Sequence, residues 1–274
     1  TRNRFSTSSG KGPNRSMSSA AKASISLASP KPDKRRYKPN RTDKSETNRS
    51  GIKTGAPRAI CGDQPISPGE SSLLRAAATD GHRLARVEMP LPDGAAGMPG
   101  IIIPRKTVTE LRKLIDESDD VIDISLSDTK IQFAFDGAIL TSKLIDGTFP
   151  DYEKVIPVGN DKFLEVDCHT FADAVDRVAT ISTERSRSVK LKVDTNVLTL
   201  SASSPDNGTA VEEIEVAYDK EALEIGFNSR YLLDITQQVE GDTAQLAMAD
   251  GASPTIVRDS SDDSALYVLM PMRV

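Results

Sequence analysis

An α+β fold built from a repeated unit is what the sequence predicts for the chain beyond about Ala76, and three observations predict it. Short β-rich runs, set off by Gly, Asp and Pro, continue from there to the last residue. Apolar residues fall at helical spacing in three separate stretches. The order strand, helix, three strands recurs about three times, with a period of roughly 45 to 60 residues, which is the mark of an architecture made by duplication.

Each element has a local reason. Residues 84–87 and 101–103 read as strands, separated by the Pro- and Gly-rich loop 90–100. Behind Pro104, the residues Val108, Leu111, Leu114 and Ile115 stripe an amphipathic helix expected to end near Ser118. Strands follow at 121–126, 130–135 and 138–144. The second unit has a strand at 163–166 and a helix striped by Phe171, Ala174, Val175, Val178 and Ile181, with Thr170 placed to cap it. Its three strands are 189–193, 197–201 and 212–216. The third unit has a strand at 223–227, a helix carrying Tyr231, Leu232, Ile235 and Val239 with Asn228 as its cap, and strands at 244–248, 255–257 and 265–270.

The first 70 residues are of another kind. They hold 15 Lys and Arg against 5 Asp and Glu, a net of +10, whereas residues 71–274 hold 20 against 35, a net of −15. Phe5, Ile25, Leu27 and Ile52 are too sparse to form a stripe, so burial cannot offset the entropy of ordering and the segment is expected to be disordered. As a functional element it would be a basic arm for nucleic acid, centred on Lys34, Arg35, Arg36 and Lys38. The preferred reading is a tail, or a non-native or out-of-frame stretch.

No run approaches the roughly 18 apolar residues of a membrane span and no apolar leader follows the start, so a soluble, cytoplasmic protein is expected. Cys61 and Cys168 lie far apart and read as free thiols. His82 stands near Asp80, but no nucleophile or metal-ligand spacing surrounds it. His169 reads as a surface residue, and the Asp119-Asp120 and Asp262-Asp263 pairs read as solvated turns. Neither a Walker-type glycine loop nor a base-reading motif is visible. No catalytic residue, metal or cofactor is expected.

Five strings, in order and ending at the terminus, carry a resemblance. They are residues 78–84 (Ala-Thr-Asp-Gly-His-Arg-Leu), 103–106 (Ile-Pro-Arg-Lys), 141–144 (Thr-Ser-Lys-Leu) running on to 149–152 (Phe-Pro-Asp-Tyr), 224–228 (Glu-Ile-Gly-Phe-Asn) and 267–274, which ends Met270-Pro271-Met272-Arg273-Val274. This part of the chain resembles the bacterial DNA sliding clamps, the beta subunits of DNA polymerase III. The resemblance implies a DNA-clamp fold with antiparallel sheets and helices on the inner face. Residues 76–157 would be the second half of the middle clamp domain and 158–274 the C-terminal domain.

What the resemblance implies about function is a non-catalytic processivity factor of the DNA polymerase III holoenzyme. It would tether its partners to duplex DNA in replication, without sequence specificity. Those partners are the polymerase III catalytic subunit, the clamp loader, and other polymerases or repair proteins, each through a short motif of the Gln-Leu-x-Leu-Phe kind. The matching groove positions are Thr79, Gly81, His82, Arg83, Leu84, Pro150, Lys154, Val155, Asn228, Tyr231, Val268, Met270, Pro271, Met272 and Arg273. Leu84, Val155, Val268, Met270 and Met272 are expected to form a deformable apolar floor for Leu and Phe anchors. His82, Arg83 and Asn228 would fix the peptide's polar groups.

The DNA-facing candidates are Arg105, Lys106, Arg112 and Lys113 on the first helix and Arg177, Arg185 and Arg187 at or after the second. Ile181 matches the dimer surface of the family's homodimeric ring. Lys154, Pro254 and Val274 depart from residues that relatives can carry at those places. Residues 1–70 resemble neither the family's first domain nor the first half of the middle one, so a closed dimeric ring is not expected. The alternative reading is a truncated clamp fragment that binds partner peptides without encircling DNA.

Overall fold

The computed structural model describes residues 21–25, 58–61, 73–115, 121–135, 137–182 and 187–273, the first two stretches as backbone alone. It opens with the strands Ala21–Ile25 (β1), Arg58–Cys61 (β2), Leu73–Thr79 (β3) and Arg83–Pro90 (β4). A unit of Ile101–Ile103 (β5), Arg105–Ile115 (α1), Ile122–Leu126 (β6), Lys130–Phe135 (β7) and Ala138–Lys143 (β8) follows. The next comprises Lys162–Asp167 (β9), Cys168–Ala179 (α2), Ser188–Asp194 (β10), Val197–Ser204 (β11) and Gly208–Glu215 (β12). The last comprises Leu223–Asn228 (β13), Ser229–Thr236 (α3), Thr243–Met248 (β14), Thr255–Asp259 (β15) and Ala265–Leu269 (β16). The repeated order of strand, helix and three strands is therefore present three times.

All pairings are antiparallel. Two four-stranded sheets run β1-β6-β7-β8 and β12-β11-β10-β13, and one eight-stranded sheet runs β5-β2-β3-β4-β16-β15-β14-β9. The units interlock in pairs: β13 of one joins β10 of the other, and β14 joins β9. The first region repeats this pattern, β1 joining β6 and β2 joining β5. β1 and β2 thus stand where β13 and β14 stand.

Those two strands depart from the disorder expected of residues 1–70; the rest of that expectation falls outside the described residues. The physical reason is that a strand edge offers a row of backbone N–H and C=O groups to any chain able to extend beside it. Sparse apolar content does not prevent such pairing. A second correction concerns α2, whose cap is Asp167 and not Thr170: the Asp167 carboxylate accepts from the Thr170 N–H at 2.7 Å. That hydrogen bond also holds the Asp167 carboxyl below its usual range. Asn228 caps α3 as expected, accepting from the Arg230 N–H at 3.0 Å.

Alternation decides which side chains go inside. In β10, Val189, Leu191 and Val193 are fully buried while the residues between them are not. These join Leu198 and Leu200 of β11, Phe171, Ala174, Val175 and Val178 of α2, Ile225 and Phe227 of β13 and Leu246 and Met248 of β14 in one core under both C-terminal units. A smaller core, Ile101, Ile103, Ile122, Leu126, Ile131, Phe133 and Phe135, lies under α1. A third cluster sits at the junction of the two regions, where Ala77, Leu84, Tyr152 and Val268 are buried against Phe149, Ile156, Ile256 and Leu266. The junction is continuous sheet, with Arg83 to Val87 of β4 paired to Leu269 to Ala265 of β16. Among the described residues no helix is long and apolar enough to cross a membrane.

Candidate functional site

The turn between β3 and β4 is built by Asp80 and Gly81. The Asp80 carboxylate accepts from the N–H groups of His82 and Arg83, both at 3.0 Å, which closes the turn as an Asx motif. Gly81 sits at φ 85°, the left-handed region that a side chain disfavours. Thr79 Oγ1 donates to the Arg83 carbonyl at 2.9 Å and receives the Gly81 N–H at 3.2 Å. Asp80 therefore shapes this turn through the backbone, and His82 is exposed at its tip.

Arg83 turns inward from the hairpin. Its side chain is 2% exposed, with Nε 3.0 Å from Asp80 and Nη1 2.8 Å from Asp234 on α3. Its guanidinium lies 4.2 Å from the centre of the Tyr231 ring, a cation–π contact one helical turn before Asp234. Burial alone would raise the Asp80 carboxyl, yet the His82 N–H and the Arg83 guanidinium hold it below the usual carboxylate range. Arg83 thereby ties the first region to the C-terminal one. Its charge is engaged within the chain by two carboxylates. Asp80 and Asp234 were not anticipated as site residues; the Tyr231 and Asp234 spacing of three on α3 is the one signal that could have marked them.

The C-terminal tail crosses between the same two regions. The Met270 N–H donates to the His82 carbonyl at 3.0 Å, and the Met272 N–H donates to the Gly226 carbonyl at 2.8 Å. Because both N–H groups are tethered in extended chain, alternation puts Met270 and Met272 on one side with Pro271 between them. Both are partly exposed, as are Pro271 and Tyr231, while Arg273 is exposed. The tail, β13, β10 and the β14–β15 turn also enclose a hollow of about 550 Å³ lined by Lys190, Glu224, Gly226, Gly251, Pro271 and Met272. Gly251 approaches the Glu224 carbonyl so closely that a Cβ there would collide with it.

The expected apolar floor is only partly a surface. Leu84 and Val268, 2% and 1% exposed, belong to the buried junction cluster and support the floor from beneath. The reason is the β4–β16 pairing, which sets Leu84 directly opposite Val268 inside the sheet. Val155 and Pro150 are exposed on the segment leading into β9. Lys154 is exposed and 2.8 Å from Asp151, whose carboxylate raises the lysine's pKa. Asn228 spends its carbonyl on the α3 cap. Pro254 is partly buried, and its carbonyl accepts from Asn160 at 3.0 Å.

On α1, seven-residue spacing puts Arg105 and Arg112 about 20° apart around the axis, and Lys106 and Lys113 likewise. Lys106 and Lys113 lie opposite Val108, Leu111 and Ile115, which pack on the core, and both are exposed; Arg105 and Arg112, about 100° round the axis from them, flank the core face and are partly buried. Arg177 is held by Glu212, at 2.6 and 3.1 Å. Arg187 lies just before β10 at φ 43°, and its carbonyl accepts from the Ser229 N–H at 2.8 Å. Arg185 and Val274 lie outside the described residues. Ile181, half-buried at the end of α2, packs on the C-terminal core, and its carbonyl accepts from Asn207 at 3.2 Å. The Cys168 thiol is pushed up to about 11, first by burial and then by Asp167, Asp259 and Asp242, which makes it a poor nucleophile. No group of three or more His, Cys, Asp or Glu suited to a metal occurs among the described residues.

Comparison with known proteins gives one consistent answer. The DNA polymerase III beta subunit central-domain model matches residues 68–151, and the C-terminal-domain model of that subunit matches residues 153–273. The beta sliding clamp of Caulobacter vibrioides is 54% identical over 209 residues, 76% of this chain and 56% of the relative. That of Escherichia coli is 38% identical over 205 residues, 75% of this chain and 56% of the relative. Among solved structures, a Caulobacter crescentus beta sliding clamp superposes with a TM-score of 0.78 at 42% identity, covering 96% of this chain and 69% of that one. A Bartonella birtlesii sliding clamp bound to griselimycin gives 0.75 at 47% identity, covering 84% of this chain and 60% of that one. The chain spans little more than half the length of the curated relatives it matches.

Proposed function

This chain belongs to the DNA polymerase III beta subunit family, the bacterial sliding clamps, and from that premise we propose that it is a non-catalytic tether, holding replication partners at duplex DNA through a peptide groove between its two regions. The observation that carries the proposal is the tail bridging His82 and Gly226. That bridge joins the β3–β4 turn to β13 and keeps the Met270 and Met272 side chains at the rim between the regions.

The groove's chemistry suits a short peptide with two apolar anchors. Thioether side chains adapt to Leu and Phe without a fixed shape. Burial of each anchor is worth on the order of 2 kcal/mol, against which stands the cost of ordering a flexible peptide. The junction cluster beneath keeps the floor dry, and the Arg83 bridge to Asp234 keeps its two walls at a fixed separation. On the DNA side, the exposed pair Lys106 and Lys113, flanked by Arg105 and Arg112, suits phosphate contacts that ignore base sequence, even on an acidic protein, because the field near the phosphates is set locally. The partners implied are the polymerase III catalytic subunit, the clamp loader and other polymerases or repair proteins bearing such motifs.

The test is a calorimetric titration with a peptide of the Gln-Leu-x-Leu-Phe kind. Micromolar binding is expected for the unaltered chain. Met270→Asp is expected to abolish it by placing an unpaired carboxylate on an apolar surface, while Asp262→Asn, in the exposed turn before β16, is expected to leave it intact. Equal losses from both, with both variants folded, would sink the assignment.

A further inference from the structure

We propose that the hollow beside the C-terminal tail receives the two residues that precede a partner's motif, an apolar one next to the Gln and an acidic one beyond it. The inference rests on the peptide-groove reading above and carries it past the tail onto the outer face of β13. Two glycines make the hollow. On that face Gly226 stands directly beside Lys190 of β10, in a cross-strand row that continues through Ser201 to Val211. A glycine at the end of this row leaves a notch where a side chain would stand. The tail pairs with Gly226 along the other edge of β13, through Met272. Directly paired residues project to the same face, so the Met272 side chain borders the notch opposite Lys190. Gly251 acts in the reverse sense. Because it has no Cβ, the β14–β15 turn can close against the Glu224 carbonyl and wall off one end.

The lining names the chemistry of the occupant. Met272, Pro271 and Ala252 give the space of about 550 Å³ an apolar wall, to which a Leu-like side chain is the complement. Lys190 and Arg273 stand there against Glu224, two cations to one anion, although residues 71–274 carry a net charge of −15. A locally cationic rim on an acidic surface selects a carboxylate. Lys190 makes one long contact to Glu224, at 3.5 Å, and an ammonium has three donors. Continuity with the groove decides which end of the motif arrives. With the motif's Leu and Phe on the floor over Leu84 and its Gln by Asn228, the chain before the Gln lies over the end of β13. Gly226 is two residues back from Asn228 on the same face of that strand, about 7 Å, which an extended peptide covers in two residues. Residues after the Phe lead away from it.

Calorimetric titration of the full 274-residue chain with two peptides tests this, Gln-Leu-Ala-Leu-Phe and the same motif preceded by Asp-Leu. The longer peptide should bind about tenfold tighter, and the same two residues attached after the Phe should add nothing. Lys190→Gln, a change at a partly exposed position, should remove most of that gain while leaving the short peptide within about twofold. Lys190→Glu should go further and prefer a peptide with Lys in place of the Asp. Met270→Asp should abolish binding of both peptides, since it acts on the groove. If the short peptide binds and the extension adds nothing, this proposal falls and the groove reading stands. If neither binds, the groove reading fails and takes this one with it. A gain that ignores both Lys190 substitutions in folded chains, or that comes equally from the other end of the motif, would also overturn it. So would protection of Lys190 from amine labelling that rises with protein concentration in the absence of peptide, because the occupant would then be a second copy.

Discussion

The two regions of this molecule share a strand plan, but among the described side chains their cores differ in size. On the C-terminal side the eight-stranded sheet runs β16-β15-β14-β9, and on the other it runs β4-β3-β2-β5, with the same partners in the same order outward from the junction. The C-terminal side buries residues from both of its units, and from α2 and α3, in one cluster. In the first region, the described buried residues of the core under α1 come from β5, β6 and β7 alone, while Ala77 and Leu84 of β3 and β4 point to the junction cluster. Among the described side chains, the topology is repeated over a smaller apolar cluster. Stability follows the interior, since burial supplies most of the driving force and backbone pairing contributes little net.

The comparison predicts two unfolding steps, the first region melting before the C-terminal one. The largest expected effect is from Phe171→Ala, a fully buried side chain of α2, which should cost about 4 kcal/mol by leaving a cavity in the shared core. That loss should appear in the later step. Phe133→Ala, in the smaller core, should move only the earlier step. Urea unfolding followed by far-ultraviolet circular dichroism checks both, and a single transition shifted equally by the two substitutions would break the comparison.

Next in size is the link between the regions. Arg83→Ala removes the cation shared by Asp80 and Asp234 and leaves two carboxylates near one another at the junction, at a cost of about 3 kcal/mol. It should also merge or reorder the two steps, because the substitution acts on their coupling. A pH dependence goes with it. The folded-state pKa of Asp80 lies below its ordinary value of 3.8, so its contribution is fully present above that value and is lost as pH falls through the folded pKa. Acid should therefore weaken the unaltered junction, and Arg83→Ala should flatten that acid limb when urea midpoints are compared over about pH 5 to pH 2.

How much of this was legible in the sequence depends on whether a feature is local. The strands 101–103 and 130–135 and the cap at Asn228 follow from alternation and from one residue's side-chain chemistry, and they stand as expected. β3 carries three successive alanines, which alternate in burial but not in residue type, so it left no signal. β1 and β2 are set by the edges they join and not by their own composition. In the groove, the five family strings located the hairpin and the tail, but the burial of Leu84 and Val268 depends on a register between strands about 180 residues apart. The same distance hid Arg83's attachment to Asp234, 151 residues away.

The smallest effect concerns the helix starts, and it separates core size from capping as the source of the regional difference. α2 and α3 begin with acceptors, Asp167 and Asn228, whereas α1 begins behind Pro104, whose ring offers none; the Pro104 carbonyl accepts the first helical N–H, that of Val108, at 3.3 Å. Asp167→Ala should cost about 1 kcal/mol at neutral pH. Because the Asp167 pKa is lowered in the folded state, this difference from the unaltered chain should persist above the ordinary carboxylate value and vanish as pH falls through the lowered one. Pro104→Ser supplies α1 with the missing acceptor, worth about 1 kcal/mol, but frees the unfolded chain by about 0.5 kcal/mol when the ring is lost. A net gain near 0.5 kcal/mol in the earlier step is expected, too little to bring the first region level with the C-terminal one. Should Pro104→Ser instead merge the two unfolding steps, the weaker region would owe its weakness to an uncapped helix and not to its smaller core.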